Sequence, residues 1–253
     1  MLTNTRHDQI LKLLAQRGSI SLQELKDVLN TSESTIRRDL TQLHNEGRLV
    51  KVFGGAVACE KMDQTDIQVL DREIQNREKK QMIAAYGAKL IQPRDFVYID
   101  AGTTTACLIP FLTDKTATYV TNAPSHAIKM AQAGLNVMLL GGNMKHSTEA
   151  VVGSLTCSQL ERYHFSIAFL GTNGVSLHAQ LSTPDPEEAM VKSTVVRRSR
   201  NCYVLCDHTK FHKISPATFA AIEDVILLTD SVPEGAFRDI PNIVDITSQP
   251  LEA

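Results

Sequence analysis

The side chains best suited to chemistry in this sequence are hydrogen-bond donors that lie close together in residues 32–42. They include two adjacent arginines, Arg37 and Arg38. A guanidinium can donate two parallel hydrogen bonds to guanine, and shorter polar side chains can also reach base edges. The pattern is typical of a DNA-recognition helix, with an ordinary solvated amphipathic helix as the alternative for this window alone. The candidate DNA-binding residues in it are Ser32, Ser34, Thr35, Arg37, Arg38 and Gln42.

Helix patterns before and within this stretch would hold the donors in place. Ser21 and Glu24 have the capping-box spacing that starts a helix, and Ser32 is a suitable N-cap for the next one. Gly18 suits the end of a preceding helix. Three short helices are therefore predicted, the last two joined by a tight turn. Their expected buried positions are Ile10, Leu11, Leu13 and Leu14, then Leu22, Leu25, Val28 and Leu29, then Ile36, Leu40 and Leu43.

Two strand-like runs follow Gly47, in residues 48–57, and are expected to form a β-wing. Arg48 and Lys51 lie in this segment and are expected to reach DNA phosphates. Each of these residues taken alone is more often a solvated surface charge. The complete order of helices, turn and wing nevertheless predicts a winged helix-turn-helix domain in residues 1–57.

Charge is divided unevenly along the chain of 253 residues, whose net charge is −2. Residues 1–57 hold eight Lys and Arg against six Asp and Glu, a net charge of +2, so the remainder carries −4. The small net charge of the whole chain therefore hides a basic N-terminal segment. This difference favours a segment that faces DNA.

The cysteines and the apolar runs indicate the compartment. The five cysteines form no Cys-x-x-Cys pair and are odd in number, which favours reduced thiols over disulfides. Cys202 and Cys206 flank an apolar run and are expected in the core rather than on a metal. We recognise no signal peptide and no apolar run of about 18 residues that would span a membrane. We therefore expect a cytoplasmic protein with no membrane segment, no metal and no cofactor.

Strand and helix patterns alternate in the second part of the sequence, after a polar linker in residues 58–77. Such alternation predicts an α/β domain with a Rossmann-like, mostly parallel sheet covered on both faces. The predicted strands are residues 96–100, 118–121, 137–140, 165–171, 202–207, 222–229 and 243–246. The predicted helices are residues 77–91, 125–132 and 184–198, with a further helical stretch that ends at Leu112.

The polar residues that follow the predicted strands form a second candidate site, because ligands of parallel sheets bind at the carboxyl ends of strands. Residues 96–100 lead directly into Gly102 and three threonines, whose hydroxyls and backbone N–H groups can hold an anion without a buried positive charge. Lys210 follows another strand and can supply a cation for a phosphate. Candidates for sugar hydroxyls are Asp100, Asn122, Asp185 and Glu188. Each is equally suited to a helix cap or to the surface.

Residues 5–57 resemble the N-terminal domain of the DeoR family of bacterial repressors. The shared motif is a recognition helix, here residues 32–40, followed by a Gly-Gly-Ala wing, here residues 54–56. The second part also resembles the sensor domain of that family, in stretches that include residues 100–105, 171–175 and 183–192. The resemblance implies a repressor whose hold on operator DNA weakens when a phosphorylated sugar binds the sensor domain.

The resemblance and the strand ends together give a set of effector-binding residues. They are Asp100, Gly102, Thr103, Thr104, Thr105, Asn122, Gly141, Gly142, Gly171, Thr172, Asp185, Glu188, Lys192 and Lys210. Residues 32–40 and 183–188 most resemble repressors of fructose operons in low-GC Gram-positive bacteria, which suggests fructose 1-phosphate as the effector. Tagatose 6-phosphate, glycerol 3-phosphate and other phosphates stay open.

The sensor domain is in turn similar to ribose-5-phosphate isomerase, whose phosphate loop resembles residues 101–104. The acidic loop of that enzyme falls on residues 170–174, which hold no carboxylate, and its catalytic glutamate falls on Val191. Moving a proton between carbons needs a positioned base. We therefore expect a sensor and not an enzyme, with a sugar-phosphate isomerase that carries an accessory DNA-binding domain as the alternative. Residues 78–253 would form this sensor and also a homo-oligomer, dimer or tetramer.

Overall fold

The computed structural model describes residues 3–46, 48–52, 54–58, 61–62 and 74–248. The chain divides into two compact units. The first comprises Met1–Lys61 and Pro233–Ile240, and the second comprises Met62–Val232 and Pro241–Ala253. The predicted linker, residues 58–77, lies mostly outside the described residues.

Three helices and a small antiparallel sheet form the N-terminal part of the first unit. The helices are α1 (Thr3–Arg17), α2 (Leu22–Leu29) and α3 (Glu33–Asn45), and the strands are β1 (Ser19–Ser21), β2 (Leu49–Val52) and β3 (Gly55–Ala58). β3 lies between β1 and β2 and is antiparallel to both. The predicted helix-turn-helix is therefore α2 and α3, and the predicted wing is β2 and β3.

Local sequence signals set the ends of these helices. Ser21 and Glu24 form the predicted capping box at the start of α2. Ser32 caps α3, because its hydroxyl accepts a hydrogen bond from the backbone N–H of Thr35 at 3.3 Å. Gly18 follows α1 in a left-handed conformation, with φ +73°, which glycine adopts without strain. The predicted caps are thus confirmed.

The core of the first unit consists of apolar side chains from all three helices. The buried positions on the helices are Ile10, Leu14, Leu22, Leu25, Leu29, Ile36, Leu40 and Leu43. Leu11 and Leu13 are partly buried against them. The prediction for Val28 is wrong, because this side chain is 54% exposed. Leu22, Leu25 and Leu29 already define the inner face of α2, and Val28 lies about 100° around the helix from Leu29.

Gly55 marks a close approach between the wing and β1. A Cβ placed on this residue would lie only 2.2 Å from the carbonyl oxygen of Ile20. Any side chain at this position would push the two strands apart. The preceding Gly54 has φ +84°, a conformation that other residues rarely adopt. The Gly-Gly-Ala sequence of the wing therefore has a steric explanation.

A seven-stranded parallel sheet is the centre of the second unit. The strands after β3 are β4 (Lys61–Met62), β5 (Phe96–Ile99), β6 (Thr118–Thr121), β7 (Asn136–Leu139), β8 (Asn143–Met144), β9 (Val151–Val152), β10 (Phe165–Gly171), β11 (Gly174–Ser176), β12 (Gln180–Thr183), β13 (Ser199–Leu205), β14 (Lys213–Ile214), β15 (Ala217–Ala220), β16 (Ile226–Thr229) and β17 (Ile243–Asp245). The strand order of the large sheet is β17-β16-β13-β10-β5-β6-β7, and all its neighbours are parallel. The predicted α/β class is confirmed.

The helices of the second unit are shorter than predicted at several ends. They are α4 (Arg77–Ala88), α5 (Thr103–Ala106), α6 (Pro124–Gln132), α7 (Ser154–Leu160) and α8 (Pro186–Arg198). The chain also has 3₁₀ turns at Ile109–Phe111, His208–Lys210, Ile222–Asp224 and Ala236–Asp239. α5 is a single turn, so the expected helix through Leu112 is wrong. α8 starts two residues late because Asp185 is its N-cap and Pro186 suits the first helical position.

A small antiparallel sheet of β11, β12 and β15 was not predicted. β12 lies between the other two strands. These strands are only three or four residues long, too short for an alternating pattern to stand out. The predicted strand 222–229 is also partly wrong, because its first residues form a 3₁₀ turn before β16.

Apolar side chains fill the layers around the large sheet. Val97 and Ile99 of β5, Phe169 of β10 and Leu205 of β13 are all buried in one cluster. Cys202 and Cys206 are also buried, as predicted from their apolar surroundings. In the part of the chain that the structure describes, no helix is long and apolar enough to cross a membrane.

Candidate functional site

The exposed face of α3 and the wing together line a shallow groove. Its lining residues are Arg37, Arg38, Thr41, Gln42, Asn45, Glu46 and Lys51. Lys51 Nζ donates to Thr41 Oγ1 at 2.7 Å, which links the wing to the helix. The groove therefore presents three cations and two amides beside a single lining carboxylate, in a form that suits a polyanion.

The two arginines of α3 are held differently. Arg37 pairs with Glu33, one turn before it, with an N–O distance of 2.6 Å between two exposed side chains. Arg38 is exposed, and among the described residues no hydrogen bond or ion pair holds its guanidinium. Exposed ion pairs contribute little stability, so neither guanidinium is committed to the fold.

The hydroxyl residues at the start of α3 bond to one another. Ser32 Oγ lies 3.0 Å from Ser34 Oγ and 2.9 Å from Thr35 Oγ1. Ser32 already caps the helix, so it has a structural role independent of DNA. Gln42, further along the same face, donates to Glu46 Oε1 at 2.9 Å.

Arg48 differs from the other predicted DNA-binding cations because it does not line the groove. Its guanidinium lies 3.8 Å from Asp8 and 3.7 Å from Glu46. These are long, exposed contacts, one to α1 and the other to the residue that caps the end of α3. Arg48 therefore stays a candidate for a contact with the DNA backbone at the edge of the groove.

Asp39 is a residue of α3 whose role sequence reasoning missed. It is 1% exposed and accepts two hydrogen bonds from Arg6, at 2.6 Å from Nε and 3.0 Å from Nη2. His7 Nε2 lies 3.2 Å from the same carboxylate. Burial opposes ionisation of Asp39, but the hydrogen bonds from Arg6 and His7 outweigh it and lower the pKa of this carboxyl. Its place in the buried helical spacing with Ile36, Leu40 and Leu43 was the available signal.

A pocket opens at the carboxyl edge of the large sheet, where β5 and β10 end. Its described lining residues are Gln75, Lys80, Asp100, Ala101, Gly102, Thr103, Thr104, Gly171, Thr172, Asn173, Glu188, Lys192 and Lys210. Most of the predicted effector residues are thus brought together. They converge because the ends of neighbouring parallel strands meet at one edge of the sheet.

A buried ion pair forms one wall of the pocket. The Lys192 ammonium contacts the Asp100 carboxylate, and both residues are buried. Lys192 Nζ also donates to the carbonyl oxygen of Gly171 at 3.0 Å, and the Gly171 N–H donates to Asp100 Oδ2 at 3.2 Å. These bonds tie α8 to the ends of β5 and β10. The two charges compensate each other in a place where an unpaired charge would be costly.

A second buried lysine of the pocket, Lys80, was not predicted. Lys80 is 3% exposed, and its Nζ donates to Thr103 Oγ1 at 3.1 Å. We expected no buried positive charge beside the threonines after Gly102, and Lys80 shows that this part of the expectation is wrong. The lysine comes from α4, about 20 residues before the threonines in sequence, so only the fold brings them together.

Two of the predicted effector residues support the pocket from behind and do not line it. Thr105 Oγ1 donates to the carbonyl oxygens of Asp100 at 2.7 Å and Gly102 at 2.9 Å. Asn122 accepts a hydrogen bond from the Ala101 N–H at 3.0 Å and donates to a backbone carbonyl on β9. Both residues therefore fix the shape of the loop after β5.

Three other predicted effector residues also lie outside the pocket lining. Gly141 bonds through its backbone to Gln159 of α7 at 3.1 Å. A Cβ on Gly142 would lie 2.2 Å from the hydroxyl of Thr156, so this glycine permits close packing on α7. Asp185 caps α8 and pairs with a lysine of the loop after β8. Their sequence positions after a strand or before a helix did not distinguish these roles.

Glu188 faces the pocket while other side chains hold its carboxylate. Thr148 Oγ1 donates to Oε1 at 2.6 Å, and Lys145 Nζ lies 3.2 Å from the same oxygen. Thr183 Oγ1 lies 3.3 Å from Oε2. Lys145 also pairs with Asp185 at 3.1 Å, so one lysine joins the loop after β8 to the first turn of α8. The carboxylate is fixed and can accept hydrogen bonds from hydroxyl groups.

Comparison with known families places both parts of the chain. Residues 6–62 match the DeoR-like helix-turn-helix domain, and residues 75–231 match the DeoR C terminal sensor domain. The chain belongs to the DeoR family. Its groove thus lies in the DNA-binding part of a DeoR-family regulator, and its pocket lies in the sensor part.

Several DeoR-family relatives cover almost the whole chain. The uncharacterized HTH-type transcriptional regulator FruR of Bacillus subtilis (strain 168) is 38% identical, over 94% of both chains. The lactose phosphotransferase system repressor of Staphylococcus aureus (strain NCTC 8325 / PS 47) is 33% identical, over 87% of this chain and 88% of the relative. These relatives are transcriptional regulators.

A solved structure also resembles this DeoR-family chain. Ribose 5-phosphate isomerase a from Methanocaldococcus jannaschii matches with a TM-score of 0.41 and 17% identity. The match covers 54% of this chain and 55% of the isomerase.

Proposed function

We propose that this DeoR-family protein represses an operon for sugar uptake or breakdown, and that a phosphorylated sugar releases it from operator DNA. The operator binds in the groove that α3 and the wing form. The receptor for the sugar phosphate is the pocket at the carboxyl edge of the large sheet. In this proposal residues 1–57 bind DNA, residues 58–77 are the linker, and residues 78–253 are the sensor.

The DNA half of the proposal is supported by the exposed face of α3. Arg37, Arg38 and Gln42 are on one side of a helix whose other side is buried, as a recognition helix requires. Ser34 and Thr35 are at its N-terminal end, where side chains of such helices meet base edges. Ser32 caps the helix, and Arg48 and Lys51 contact phosphates. The base contacts of the exposed α3 side chains give the protein its sequence preference. The phosphate contacts of Arg48 and Lys51 fix its register on the duplex and make its affinity depend on salt.

The observation that carries the effector half is the convergence of three lysines on one small polar pocket. Lys80, Lys192 and Lys210 line it together with the threonines after Gly102. Lysine ammonium groups and hydroxyl or backbone donors are the usual complement of a phosphate. Glu188 and Asn173 also line the pocket and supply polar groups for sugar hydroxyls. Thr105, Asn122, Gly141, Gly142 and Asp185 act by shaping the pocket.

Fructose 1-phosphate is our first choice of effector. The FruR relative covers nearly the whole chain, although its name does not state a ligand. The relative that represses a lactose phosphotransferase system supports a sugar-related effector in general, without identifying the sugar. Tagatose 6-phosphate and glycerol 3-phosphate are therefore included as competing ligands.

An isomerase reaction is a less suitable function for this pocket. Residues 170–174 hold no carboxylate, and Val191 is apolar and buried. The Asp100 carboxylate is bound to Lys192. Proton transfer between carbons needs a base within reach of the substrate, and these contacts favour reversible binding instead.

A DNA-release assay tests the proposal. Operator DNA is selected in vitro from random sequence, and its fluorescence anisotropy is followed as each sugar phosphate is added to the full chain. We expect release by one phosphorylated sugar and none by the free sugar. Thr104→Ala and Lys210→Ala should retain operator affinity but need roughly ten- to hundredfold more effector, because a charge-assisted contact contributes about 1.5–3 kcal/mol.

Lys89→Ala is the matched control for this assay, because Lys89 is exposed and does not line the pocket. It should respond like the parent protein. Release by free sugar as effective as release by its phosphate would contradict the proposal. So would a parental response from both pocket variants.

A further inference from the structure

Strand β7 forms one edge of the large sheet, and β6 is its single neighbour among the described strands. Directly after β7, the Leu140 N–H donates to the carbonyl oxygen of Thr121 on β6 at 2.9 Å. Alternate residues of a strand direct their backbone groups to the same side. Met138 therefore also points toward β6, whereas Val137 and Leu139 point away from it. In the part of the chain that the structure describes, no hydrogen bond engages their outward N–H and C=O groups.

The sequence around β7 lacks the features that protect many exposed strand edges. Charged side chains and prolines at an edge strand discourage pairing with another chain. Residues 130–144 hold no charged residue and no proline. The opposite edge of the sheet, β17, contains Asp245 and follows Pro241. The two edges therefore differ, and β7 is the one suited to accept a further strand.

Apolar side chains are exposed around this edge. They are Leu139 of β7, Ile128 of α6, Met144 of β8 and Leu155 of α7, and each has at least half of its surface open to solvent. α6 packs on β7, and the loop that leaves β7 bonds to α7. Neighbouring exposed apolar side chains are typical of a surface that binds another protein. The open backbone edge therefore has apolar flanks that gain from burial.

We propose that β7 pairs with β7 of a second copy of this chain, so that two seven-stranded sheets join into one across a two-fold axis. The paired strands are antiparallel, and the axis passes beside Met138. In an antiparallel pair, alternate opposed residues exchange two hydrogen bonds. Val137 of one copy then exchanges both bonds with Leu139 of the other, and the symmetric pair does the same. All the outward backbone groups of these two residues are satisfied.

The occupant is a second copy because this edge is complementary to itself. Val137 and Leu139 lie on either side of Met138, so a copy turned about the two-fold axis presents donors opposite acceptors. A two-fold interface uses the same patch on both subunits, and identical charged patches would repel each other. This edge is uncharged, and Val137 meets Leu139 as an apolar cross-strand pair. The inference concerns assembly and does not depend on the effector.

Disulfide trapping of Met138→Cys tests the pairing in the full chain. Residues opposed at a non-hydrogen-bonded position have Cα atoms about 4.5 Å apart, within the range of about 4.4–6.8 Å that a disulfide spans. Mild oxidation at micromolar concentration should give a covalent dimer on a non-reducing gel, and a reductant should reverse it. Asn201→Cys is the matched control, because Asn201 is exposed on β13 in the middle of the sheet. This variant should stay monomeric on the gel, and so should the parent with its native cysteines.

Two substitutions of Leu139 test the same edge without a new thiol. Leu139→Pro removes an outward N–H that the fold does not use, and proline is tolerated in edge strands at such positions. Leu139→Lys keeps that N–H and adds a charge on both copies. Sedimentation analysis should show the dissociation constant of the dimer raised roughly ten- to hundredfold in each variant. Leu177→Lys makes the same change at an exposed leucine in the turn after β11 and should associate like the parent.

The outcomes separate this interface from assembly in general. A parent protein that is monomeric at micromolar concentration overturns the inference together with the expected homo-oligomer. An oligomeric parent without a cross-link in Met138→Cys, and with parental association in the folded Leu139 variants, overturns β7 as the interface alone. Equal cross-linking in Asn201→Cys would also overturn it. A reversible cross-link confined to Met138→Cys, with weakened association in either Leu139 variant, supports it.

Discussion

Arg37 and Arg38 are adjacent, but the surroundings of their guanidiniums differ. Arg37 rests against Glu33, and Arg38 extends from the same exposed face of α3. We expect Arg37→Ala and Arg38→Ala each to weaken operator binding by about 1–3 kcal/mol, the range for an arginine that pairs with guanine. Anisotropy measurements with the selected operator and with a scrambled duplex of equal length give the two affinities.

Lys51 provides a comparison of a different kind. Lys51→Ala in the wing should weaken both duplexes alike and flatten the dependence of affinity on salt, because a phosphate contact carries no sequence information. Lys12→Ala, an exposed change on α1, should alter neither affinity. If both arginine variants kept the parental operator affinity and an unchanged circular dichroism spectrum, the assignment of α3 as the recognition helix would be wrong.

The sequence predicted the groove better than the pocket, for a physical reason. The groove is formed largely by one helix, so the spacing of Arg37, Arg38 and Gln42 already placed them on one face. The pocket is formed by the ends of several elements. Lys80 had no local pattern that would connect it to Thr103, and Gly141 had the strand-end pattern without being in the lining.

Among the elements, α1 and α3 are joined by a buried ion pair. Asp39→Asn would leave the Arg6 guanidinium buried without its counter-charge, and removing one partner of such a pair costs about 3–5 kcal/mol. We expect the DNA-binding part of this variant to unfold at a lower concentration of guanidinium chloride. Its operator affinity should also fall. Glu33→Gln is the control, since its pair with Arg37 is exposed and should contribute less than about 1 kcal/mol.

The same pair predicts how stability depends on pH. The pKa of Asp39 is lowered in the folded state, so its contribution is fully present above the unfolded value of about 3.9 and is lost as the pH falls through the folded value. Unfolding curves between pH 6 and pH 3 should therefore show a loss that is absent in Asp39→Asn. Equal acid sensitivity of the two proteins would contradict this role of Asp39.

Strands and helices with a strong apolar pattern were predictable, and the exceptions depend on features that such a pattern does not show. β10 has the predicted bounds because its seven residues are a continuous apolar run typical of a buried parallel strand. β11 and β12 are held by pairing with each other and with β15, which no local pattern reveals. α5 stops after one turn because its β-branched threonines are weak helix formers and Pro110, which has no backbone N–H, lies in the stretch that was expected to continue the helix.

The whole molecule is expected to act as a symmetric oligomer. One winged helix buries a small surface on DNA, and specific operators are usually read by two-fold dimers. We predict a homo-oligomer, formed largely by the second unit, and a selected operator with two related half-sites. Light scattering of the full chain at micromolar concentration, with and without operator, measures the mass directly.

Two results would count against this assembly. A monomer under both conditions would contradict it, and so would selection of an operator with a single, unrepeated site. A truncated chain of residues 1–57 should lose operator affinity far more than it loses affinity for a scrambled duplex, because one half-site contact would be missing.

The contact between Glu33 and Arg37 affects how the protein distributes between its operator and non-specific sites on the chromosome. A carboxylate beside the guanidinium repels any phosphate that approaches, so Arg37 adds little to binding at arbitrary sequence. In the proposed complex the guanidinium exchanges that carboxylate for a guanine edge only at the operator. Weak non-specific binding leaves more protein molecules free and shortens their residence time at other sequences. Fewer copies per cell then suffice to keep one operator occupied, since occupancy depends on the ratio of specific to non-specific affinity.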